Sequence, residues 1–431
     1  DLTDTSKQEL ANIFSGQKLL PGSTPIAMAY AGHQFGHPVA QLGDGRAHLL
    51  GELNGYDIQL KGSGRTKFSR RGDGRSALGP VLREYIMSEA MHALSVPTTR
   101  ALCAIATGES VFRQEGPEPG GIFTRVASSH IRVGTFQYFA FQNDIESIKT
   151  LLDYTIKRHY PDLVAASDYS EKSLGLLEAL TIKQSDLIAK WSSIGFIHGV
   201  MNTDNFSIAG ITIDYGPCAF LDEFKFDKVF SSIDHNGRYS FFNQTQIAKW
   251  NILRLAECFI PFIDSNQENA IKKIEDQIMT KFDQFEKQRM LYFSKKLGIS
   301  HYEKSDNSLI MKFLNYLEKE SIDFTNGFRN LPQLHKNETD FYPATEELKS
   351  FSIEWKNKVK SIDKLNFVNP IYIPRNHLIQ KAIEDSYEGD FSTFKKLNEI
   401  TSNPFQEKDH LTDYSRGPKP HERVYQTFCG T

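Results

Sequence analysis

Cysteine is scarce in this sequence, and it has neither a long apolar run nor an excess of one charge. Four cysteines in 431 residues are too few and too widely spaced for a secreted disulfide framework or a zinc site. No apolar run reaches the roughly 20 residues that span a bilayer, and no signal peptide opens the chain. The 53 acidic and 50 basic residues nearly balance, unlike those of a dedicated nucleic-acid-binding protein. We therefore expect a globular protein of a reducing compartment, with no membrane or nucleic-acid partner.

The residue pattern changes along the chain, which is longer than one average domain. The first hundred residues are rich in glycine and in strand-like alternation, whereas helical patterning dominates from about residue 145. This order predicts an α+β protein with two lobes, the arrangement of a protein-kinase-like fold. We place a small strand-rich N-terminal lobe at residues 1–105 and a large, mainly helical C-terminal lobe at residues 106–431.

Local signals in the N-terminal lobe predict a hairpin followed by a helix. The segments AHLLGEL and DIQLKG alternate as strands do and are separated by Asn54-Gly55, the strongest short hairpin signal. Lys61 therefore ends a predicted strand. A helix is predicted from about Pro80 to Leu94, since proline suits a first turn and apolar residues recur at every fourth position. Glu84 lies on another face of this helix, so we expect neighbours on two sides.

Several residues of this lobe have the chemistry of a nucleotide site. Lys61 and Glu84 match the lysine and helix-glutamate pair that positions phosphates in protein kinases, although a lone lysine is more often a solvated charge. Gly43 and Gly45 would let backbone N–H groups approach phosphate oxygens, and the guanidinium of Arg46 could donate two hydrogen bonds to the same phosphate. The alternative is a tight turn between two strands.

A basic loop repeats the same tetrapeptide. Gly-Asp-Gly-Arg occurs at residues 43–46 and again at 72–75, where Asp73 and Gly74 lie among five basic side chains. A solvated face is the usual interpretation of such a charge run. Arg125 and Arg132 further along suit bidentate phosphate capture, but for them surface ion pairs are the simpler alternative.

The stretch HGVMNTDNFSIAGITIDYG, residues 198–216, is the most specific. It is similar to the kinase segment in which a catalytic loop leads to a metal-binding Asp-x-Gly, but Val200 stands where the kinase base would fall. We predict two strands joined at Ala209-Gly210, which would bring Asn205 and Asp214 together as ligands for Mg²⁺. Asp204 is placed to accept a hydroxyl proton. An ordinary surface hairpin is the alternative.

The longest motifs carry a family resemblance. YAGHQFGHPVAQLGDGRAHLLGE, LKGSGRTKFSRRGDGRSALGPVLREYIMSEAMHALSVPTTRAL, HGVMNTDNFSIAGITIDYGPCAFLD and the terminal FCGT resemble the selenoprotein O family, known in bacteria as YdiU. Their order matches the family's over most of residues 17–260. The resemblance implies a kinase-like fold, classed as a pseudokinase, that binds ATP in an inverted orientation and transfers AMP to protein Ser, Thr or Tyr hydroxyls.

By motif, the resemblance also implies roles for single residues. Asp204 would be the base, Asn205 and Asp214 would hold Mg²⁺ or Mn²⁺, and Glu84 would pair with Lys61. The residues implied to hold the nucleotide are Gly43, Gly45, Arg46, Lys61, Asp73, Gly74, Arg125, Arg132 and Asp214.

The resemblance raises two further expectations. Bacterial relatives tend to pair the C-terminal cysteine with one that follows the Asp-x-Gly. Here the segment FKFDKVFSSID has no cysteine, so Cys218 is the nearest candidate for a redox partner of Cys429, and a free tail cysteine without a role is the alternative. Family members start further upstream, and we expect a monomer that is cytoplasmic in bacteria or mitochondrial in eukaryotes.

Three functions compete at this point. The first is a protein adenylyltransferase using ATP, with uridylyl transfer from UTP as a variant. The second is an ordinary phosphotransferase, which Val200 disfavours although Asp204 could substitute as the base. The third is a non-catalytic nucleotide-binding scaffold, which would not need to keep the metal ligands Asn205 and Asp214.

Overall fold

A computed structural model describes residues 4–113, 116–359 and 361–428. Over these residues the architecture is mixed α/β, as predicted, with most strands early in the chain and helices after them. The strands are β1 Gly32–Gln34, β2 His37–Val39, β3 Ala47–Leu53, β4 Tyr56–Lys61, β5 Ser76–Ala77, β6 Arg100–Arg113, β7 Gly116–Ala127, β8 Phe196–Ile197 and β9 Ala219–Phe220. Among the described residues, no helix combines the length and apolar character needed to cross a bilayer.

The predicted hairpin is confirmed as β3 and β4. Asn54 and Gly55 both have positive φ, 52° and 81°, as a two-residue turn between twisted strands requires. β4 also pairs with β7, so that Gln59 lies opposite Arg125 and Lys61 opposite Phe123. Directly opposed residues, and residues two apart on one strand, share a face of the sheet. The pairing therefore places Lys61, Gln59 and Arg125 on one face.

The antiparallel sheet extends beyond the hairpin. Its strand order is β3, β4, β7, β5, and the long strand β6 also pairs with β7. The lobe boundary at residue 105 remains a prediction, and it falls within β6. Because β7 pairs with β4, the chain as far as Ala127 belongs to this sheet.

The helix predicted near residue 80 is confirmed and begins slightly earlier. It is α2, Leu78–Ala93, and Glu84 as well as Met87 is buried, so neighbours do contact two sides of it. One neighbour comes from near the end of the chain, where the Tyr387 hydroxyl accepts a hydrogen bond from the Gly79 N–H at 3.3 Å. Ile86, Met87 and Met91 of α2 belong to the large apolar core that the later helices form.

The rest of the described chain is mainly helical, as predicted. Its helices surround two large apolar cores. One is centred on α5 (Tyr169–Ile194) and α6 (Gln244–Glu257), and the other on α9 (Asp283–Lys296), α10 (Asn307–Lys319) and α13 (Glu346–Lys358). The helices other than α2 are α1 Lys7–Phe14, α3 Val133–Ala140, α4 Ile145–His159, α5 Tyr169–Ile194, α6 Gln244–Glu257, α7 Ile260–Ile263, α8 Gln267–Ile278, α9 Asp283–Lys296, α10 Asn307–Lys319, α11 Phe324–Arg329, α12 Leu331–His335, α13 Glu346–Lys358, α14 Leu365–Val368, α15 Asn376–Tyr387, α16 Ser392–Thr401 and α17 Thr412–Ser415.

The hairpin predicted within residues 206–215 is wrong. Ser207 forms a single antiparallel bridge with Arg132, and Thr212 forms a single parallel bridge with Thr98. The two segments therefore pair with other parts of the chain instead of with each other. The alternative of a surface hairpin is wrong as well, because Ile208 and Ile213 are buried in the protein interior.

Candidate active site

The sheet and the loop of residues 200–216 enclose a cleft of about 1250 Å³. All eleven residues predicted for nucleotide, metal and base roles line this cleft together with Glu84, the predicted partner of Lys61, although they come from distant parts of the chain. These residues are Gly43, Gly45, Arg46, Lys61, Asp73, Gly74, Glu84, Arg125, Arg132, Asp204, Asn205 and Asp214.

Four charged side chains form a cluster on one wall of the cleft. Lys61 Nζ lies 2.7 Å from Glu84 Oε2 and 2.6 Å from Asp214 Oδ1. Arg125 donates from Nε to Glu84 Oε1 at 2.8 Å and from Nη2 to Asp214 Oδ1 at 3.2 Å. Two cations thus meet two carboxylates, so the cluster is electrically balanced.

This balance decides the ionisation of both carboxyl groups. Burial alone would raise their pKa values, but Arg125 and Lys61 outweigh it and lower the pKa of Glu84. The same two cations hold the pKa of Asp214 well below its usual range. Asp214 is therefore an anion throughout the physiological pH range.

The two predicted arginines are not surface residues, so the surface ion-pair alternative is wrong. Arg125 is 2% exposed and Arg132 is 4% exposed. Arg132 donates from Nη1 to the backbone oxygen of Asp204 at 2.9 Å, and its guanidinium lies 4.6 Å from the centre of the Tyr30 ring. Arg132 therefore contacts the backbone that carries the predicted base.

Asp204 has a different environment from Asp214. Its side chain accepts a hydrogen bond from Gln34 Nε2 to Oδ1 at 2.8 Å, and it forms no ion pair among the described residues. Burial raises the pKa of Asp204 to about 6. A carboxyl group with this pKa is both a better base than an exposed aspartate and still mostly ionised near neutral pH.

Strand β1 holds the loop that carries Asp204. The His33 N–H donates to Thr203 Oγ1 at 2.7 Å, and the Phe35 N–H donates to Asn202 Oδ1 at 3.0 Å. The approach is so close that a Cβ on Gly32 would lie 2.4 Å from Asp204 Oδ1. Sequence reasoning missed Gln34, because a neutral amide 170 residues from its partner gives no local signal.

Asn205 and Asp214 offer oxygen atoms that fit a divalent metal ion. Asn205 Nδ2 donates to the Val200 oxygen at 3.1 Å, which leaves Oδ1 as the free acceptor. Both cations contact Asp214 at Oδ1, so Oδ2 meets no donor among the described residues. Across those residues, however, no group of three or more His, Cys, Asp or Glu side chains is arranged around a metal site. An ion here would need phosphate oxygens to complete its shell, as Mg²⁺ commonly does.

The first Gly-Asp-Gly-Arg segment differs from a phosphate-binding loop, because some of its backbone N–H groups are hydrogen-bonded within the protein. The N–H groups of Gly43 and Asp44 donate to the backbone oxygens of Tyr30 and Met28. Gly43 has a φ of 70°, and the Phe68 ring occupies the place where a Cβ would lie. Two of the N–H groups expected to face phosphate are therefore already bonded within the protein.

The basic loop lies at the edge of the cleft, and its five basic side chains are exposed, so the interpretation as a solvated face also holds. Arg70 and Arg71 line the cleft, and neither forms an ion pair with a carboxylate of the described residues. Asp73 accepts a hydrogen bond from Arg113 Nη1 at 3.0 Å, and Arg113 also lines the cleft. Sequence reasoning missed Arg113, because β6 brings it to the cleft from a segment without a recognisable motif.

The predicted redox pair is described only in part. Cys218 is fully buried, and burial raises the pKa of its thiol to about 12, so it is a poor nucleophile as it stands. Cys429 lies outside the described residues, and its pairing with Cys218 stays a prediction. Nearby, Thr427 Oγ1 donates to the oxygen of Pro217 at 2.5 Å.

Comparison with known proteins decides the family. The model of the family described as protein adenylyltransferase SelO matches residues 1–402. The chain belongs to the SelO family. Membership makes it an enzyme of the nucleotidyltransferase class, and the resemblance found in its motifs is confirmed.

Individual relatives of this SelO-family chain agree with the assignment. Proteins named protein nucleotidyltransferase YdiU from Rhizobium etli and Bacillus cereus are 47% and 48% identical to it. The alignments cover 99% of this chain in both cases, and 88% and 89% of the relatives. The protein of the same name from Agrobacterium fabrum is 48% identical over 100% of this chain and 91% of its own length.

Proposed function

We propose that this SelO-family chain transfers AMP from ATP to Ser, Thr or Tyr hydroxyls of proteins, itself included, with UMP transfer from UTP as a variant. One observation carries the proposal. A single cleft contains two aspartates whose pKa values are shifted in opposite directions, lowered for Asp214, which pairs with cations, and raised for Asp204, which has no ion-pair partner among the described residues. This is the division of roles that a metal anchor and a general base require.

In the proposed reaction, Asp204 accepts the proton of the acceptor hydroxyl. The hydroxyl oxygen forms a bond to the α-phosphorus of ATP, the bond from that phosphorus to the bridging oxygen of the β-phosphate breaks, and pyrophosphate leaves. Arg132 supports this step from Nη1, because its hydrogen bond to the Asp204 backbone fixes the base. Gln34 holds the carboxylate itself through Oδ1.

Asn205 Oδ1 and Asp214 Oδ2 would hold the divalent metal ion, Mg²⁺ or Mn²⁺. Such an ion neutralises charge on phosphate oxygens when it is bound. The fit rests on two oxygens without protein donors among the described residues, as noted above. Lys61 and Arg125 fix the orientation of the Asp214 carboxylate from its other oxygen.

The charges of the cleft support an inverted nucleotide. Lys61 and Arg125 are already balanced by Glu84 and Asp214, so this cluster has no net charge with which to meet a triphosphate. Other cations line the cleft, among them Arg70 and Arg71, which have no carboxylate partner in the described chain. Phosphates turned toward that edge would be neutralised there. The remaining nucleotide contacts we propose are Gly43, Gly45, Arg46, Asp73, Gly74 and Arg132.

We further propose that the fold is kinase-like and two-lobed, that the lobes predicted at residues 1–105 and 106–431 meet after β7 rather than within β6, and that the protein is a monomer. The ion pair of a strand lysine with a helix glutamate supports the kinase likeness. The same pair also favours the second candidate function, an ordinary phosphotransferase.

Labelled ATP separates the two functions. With ATP labelled at the α-phosphate we expect labelled protein, including the enzyme itself, and with label at the γ-phosphate we expect label only in pyrophosphate. Intact-protein mass spectrometry should show the mass of added AMP. Protein labelled from the γ-phosphate and not from the α-phosphate would establish the phosphotransferase, and no labelling from either would support a scaffold.

A further inference from the structure

A groove opens beside the cleft and shares two lining residues with it. This side groove, of about 470 Å³, is formed by Phe35, residues 233–236, Arg238 and Asn243. Phe35 and Ile233 line both the side groove and the cleft, so the two spaces adjoin at these residues. The mechanism proposed above uses none of the residues 233–243.

The side groove meets the cleft at the end where Asp204 lies. The Phe35 N–H donates to Asn202 Oδ1 at 3.0 Å, and the Phe35 ring packs edge-on against Tyr239 with 5.2 Å between ring centres. The Tyr239 hydroxyl also donates to Asn202 Oδ1, two residues before Asp204. A chain lying in the side groove would therefore enter the cleft next to the base rather than next to Lys61.

The side groove presents one cation whose charge no carboxylate contacts. The carboxylate of Asp234 is buried and accepts the backbone N–H groups of Arg238 at 2.9 Å and Tyr239 at 2.7 Å. The Arg238 guanidinium lies 4.7 Å from the centre of the Trp250 ring, and it forms no ion pair among the described residues. Its buried Nε has no hydrogen-bond acceptor in the described part of the chain. Beside it, Ile233 is 50% exposed.

We propose that the side groove binds the segment of the protein substrate that flanks the modified hydroxyl, and that Arg238 favours segments with a carboxylate side chain. The inference rests on the proposed function, because a hydroxyl must reach Asp204. The position of the side groove beside the cleft, at the end where Asp204 lies, identifies the occupant as a substrate segment. The uncompensated guanidinium selects acidic side chains, and the exposed face of Ile233 suits an apolar neighbour.

The test uses two synthetic peptides with a fluorescent label. One has a central serine flanked by glutamates, and its twin has lysines in place of the glutamates. Binding to the full chain is measured by fluorescence anisotropy, and AMP transfer to each peptide is measured with ATP labelled at the α-phosphate. We expect the wild type to bind the glutamate peptide about fivefold more tightly, the effect of about 1 kcal/mol expected for one partly exposed ion pair.

Charge reversal makes the test independent of folding defects. Arg238→Glu should reverse the preference, so that the lysine peptide binds more tightly, and loss of structure cannot produce such a gain. Arg254→Ala is the matched control, because Arg254 also lies over Trp250, at 5.1 Å, but pairs with Glu257 outside the side groove. It should leave both affinities unchanged.

Each outcome has a distinct meaning. Equal binding of both peptides by the wild type, binding of neither, or an unchanged preference in Arg238→Glu would overturn the inference. A peptide preference that reverses as expected, in a protein that transfers no α-label, would uphold the side groove and contradict the proposed function. For peptides that are modified, the Arg238→Glu effect should appear in KM rather than in kcat.

Discussion

Asp204 and Asp214 are two carboxylates of one cleft, and they differ in almost every respect. Asp214 contacts Lys61 and Arg125, and its pKa lies well below the usual range. Asp204 meets one neutral amide from Gln34, and its pKa is raised to about 6. Residue type therefore does not assign their roles. The neighbouring charges do, since two cations stabilise the ionised form of Asp214 and burial destabilises that of Asp204.

The difference also concerns stability. The cluster around Asp214 has paired charges that depend on one another, so removing one partner leaves another charge buried and uncompensated. The buried Asp204 carboxylate forms no ion pair in the described chain and burial disfavours its ionised form, so a neutral side chain in its place relieves a cost. The paired charges around Asp214 therefore stabilise the fold, whereas the ionised carboxylate of Asp204 destabilises it. A general base needs a raised pKa of the kind that this destabilisation produces.

The largest expected effect comes from Asp214→Asn, which removes the anionic partner of Lys61 and Arg125. We expect AMP transfer to fall by at least ~10³-fold, because metal ions contribute several kcal/mol to reactions of this kind. ATP binding measured by calorimetry should weaken with Mg²⁺ present and change little without it. A variant that kept wild-type turnover would show that Asp214 is not the metal anchor.

Asp204→Asn should reduce AMP transfer by roughly 10²- to 10³-fold, the usual contribution of a general base. Because Asp204 forms no ion pair in the described chain, ATP affinity should remain close to that of the wild type. Single-turnover assays together with calorimetry separate the two effects. Equal losses of binding in Asp204→Asn and Asp214→Asn would remove the distinction drawn between them.

Glu84→Gln tests the stability side of the comparison. We expect a loss of about 3 kcal/mol in the free energy of unfolding, since Arg125 stays buried with less charge to meet it. Glu89→Gln on the same helix is the control, because Glu89 pairs with the partly exposed Arg100 and should cost about 1 kcal/mol or less. Urea denaturation measures both. Asp204→Asn should be neutral or stabilising in the same assay.

The smallest effect is a shift in the pH dependence of the rate. A base works only when ionised, so the wild-type rate should fall as the pH drops through about 6. Gln34→Leu removes a hydrogen bond donated to the carboxylate, which raises the pKa of Asp204 further. The acidic limb should therefore move to higher pH by up to about one unit. Gln34→Glu should move it further, and an unchanged limb in both variants would show that Gln34 does not act on the base.

The sequence by itself determined the local elements and the chemical inventory of this protein. The hairpin at Asn54-Gly55 and the helix around Glu84 were predictable because turn geometry and apolar periodicity are properties of neighbouring residues. The nucleotide, metal and base candidates were predictable in part from residue type and in part from the family's motifs. All of them line the cleft. Their roles stay predictions.

Only the tertiary structure decided which residues meet and in what electrostatic state. Local patterning wrongly joined residues 206–215 into a hairpin, because Ser207 and Thr212 find their partners in Arg132 and Thr98. It also gave no sign that Gln34 contacts Asp204 across 170 residues. Such contacts follow from the packing of the whole chain, which compensates the entropy of closing long loops. The pKa of each aspartate depends on that packing, so two identical side chains have pKa values shifted in opposite directions.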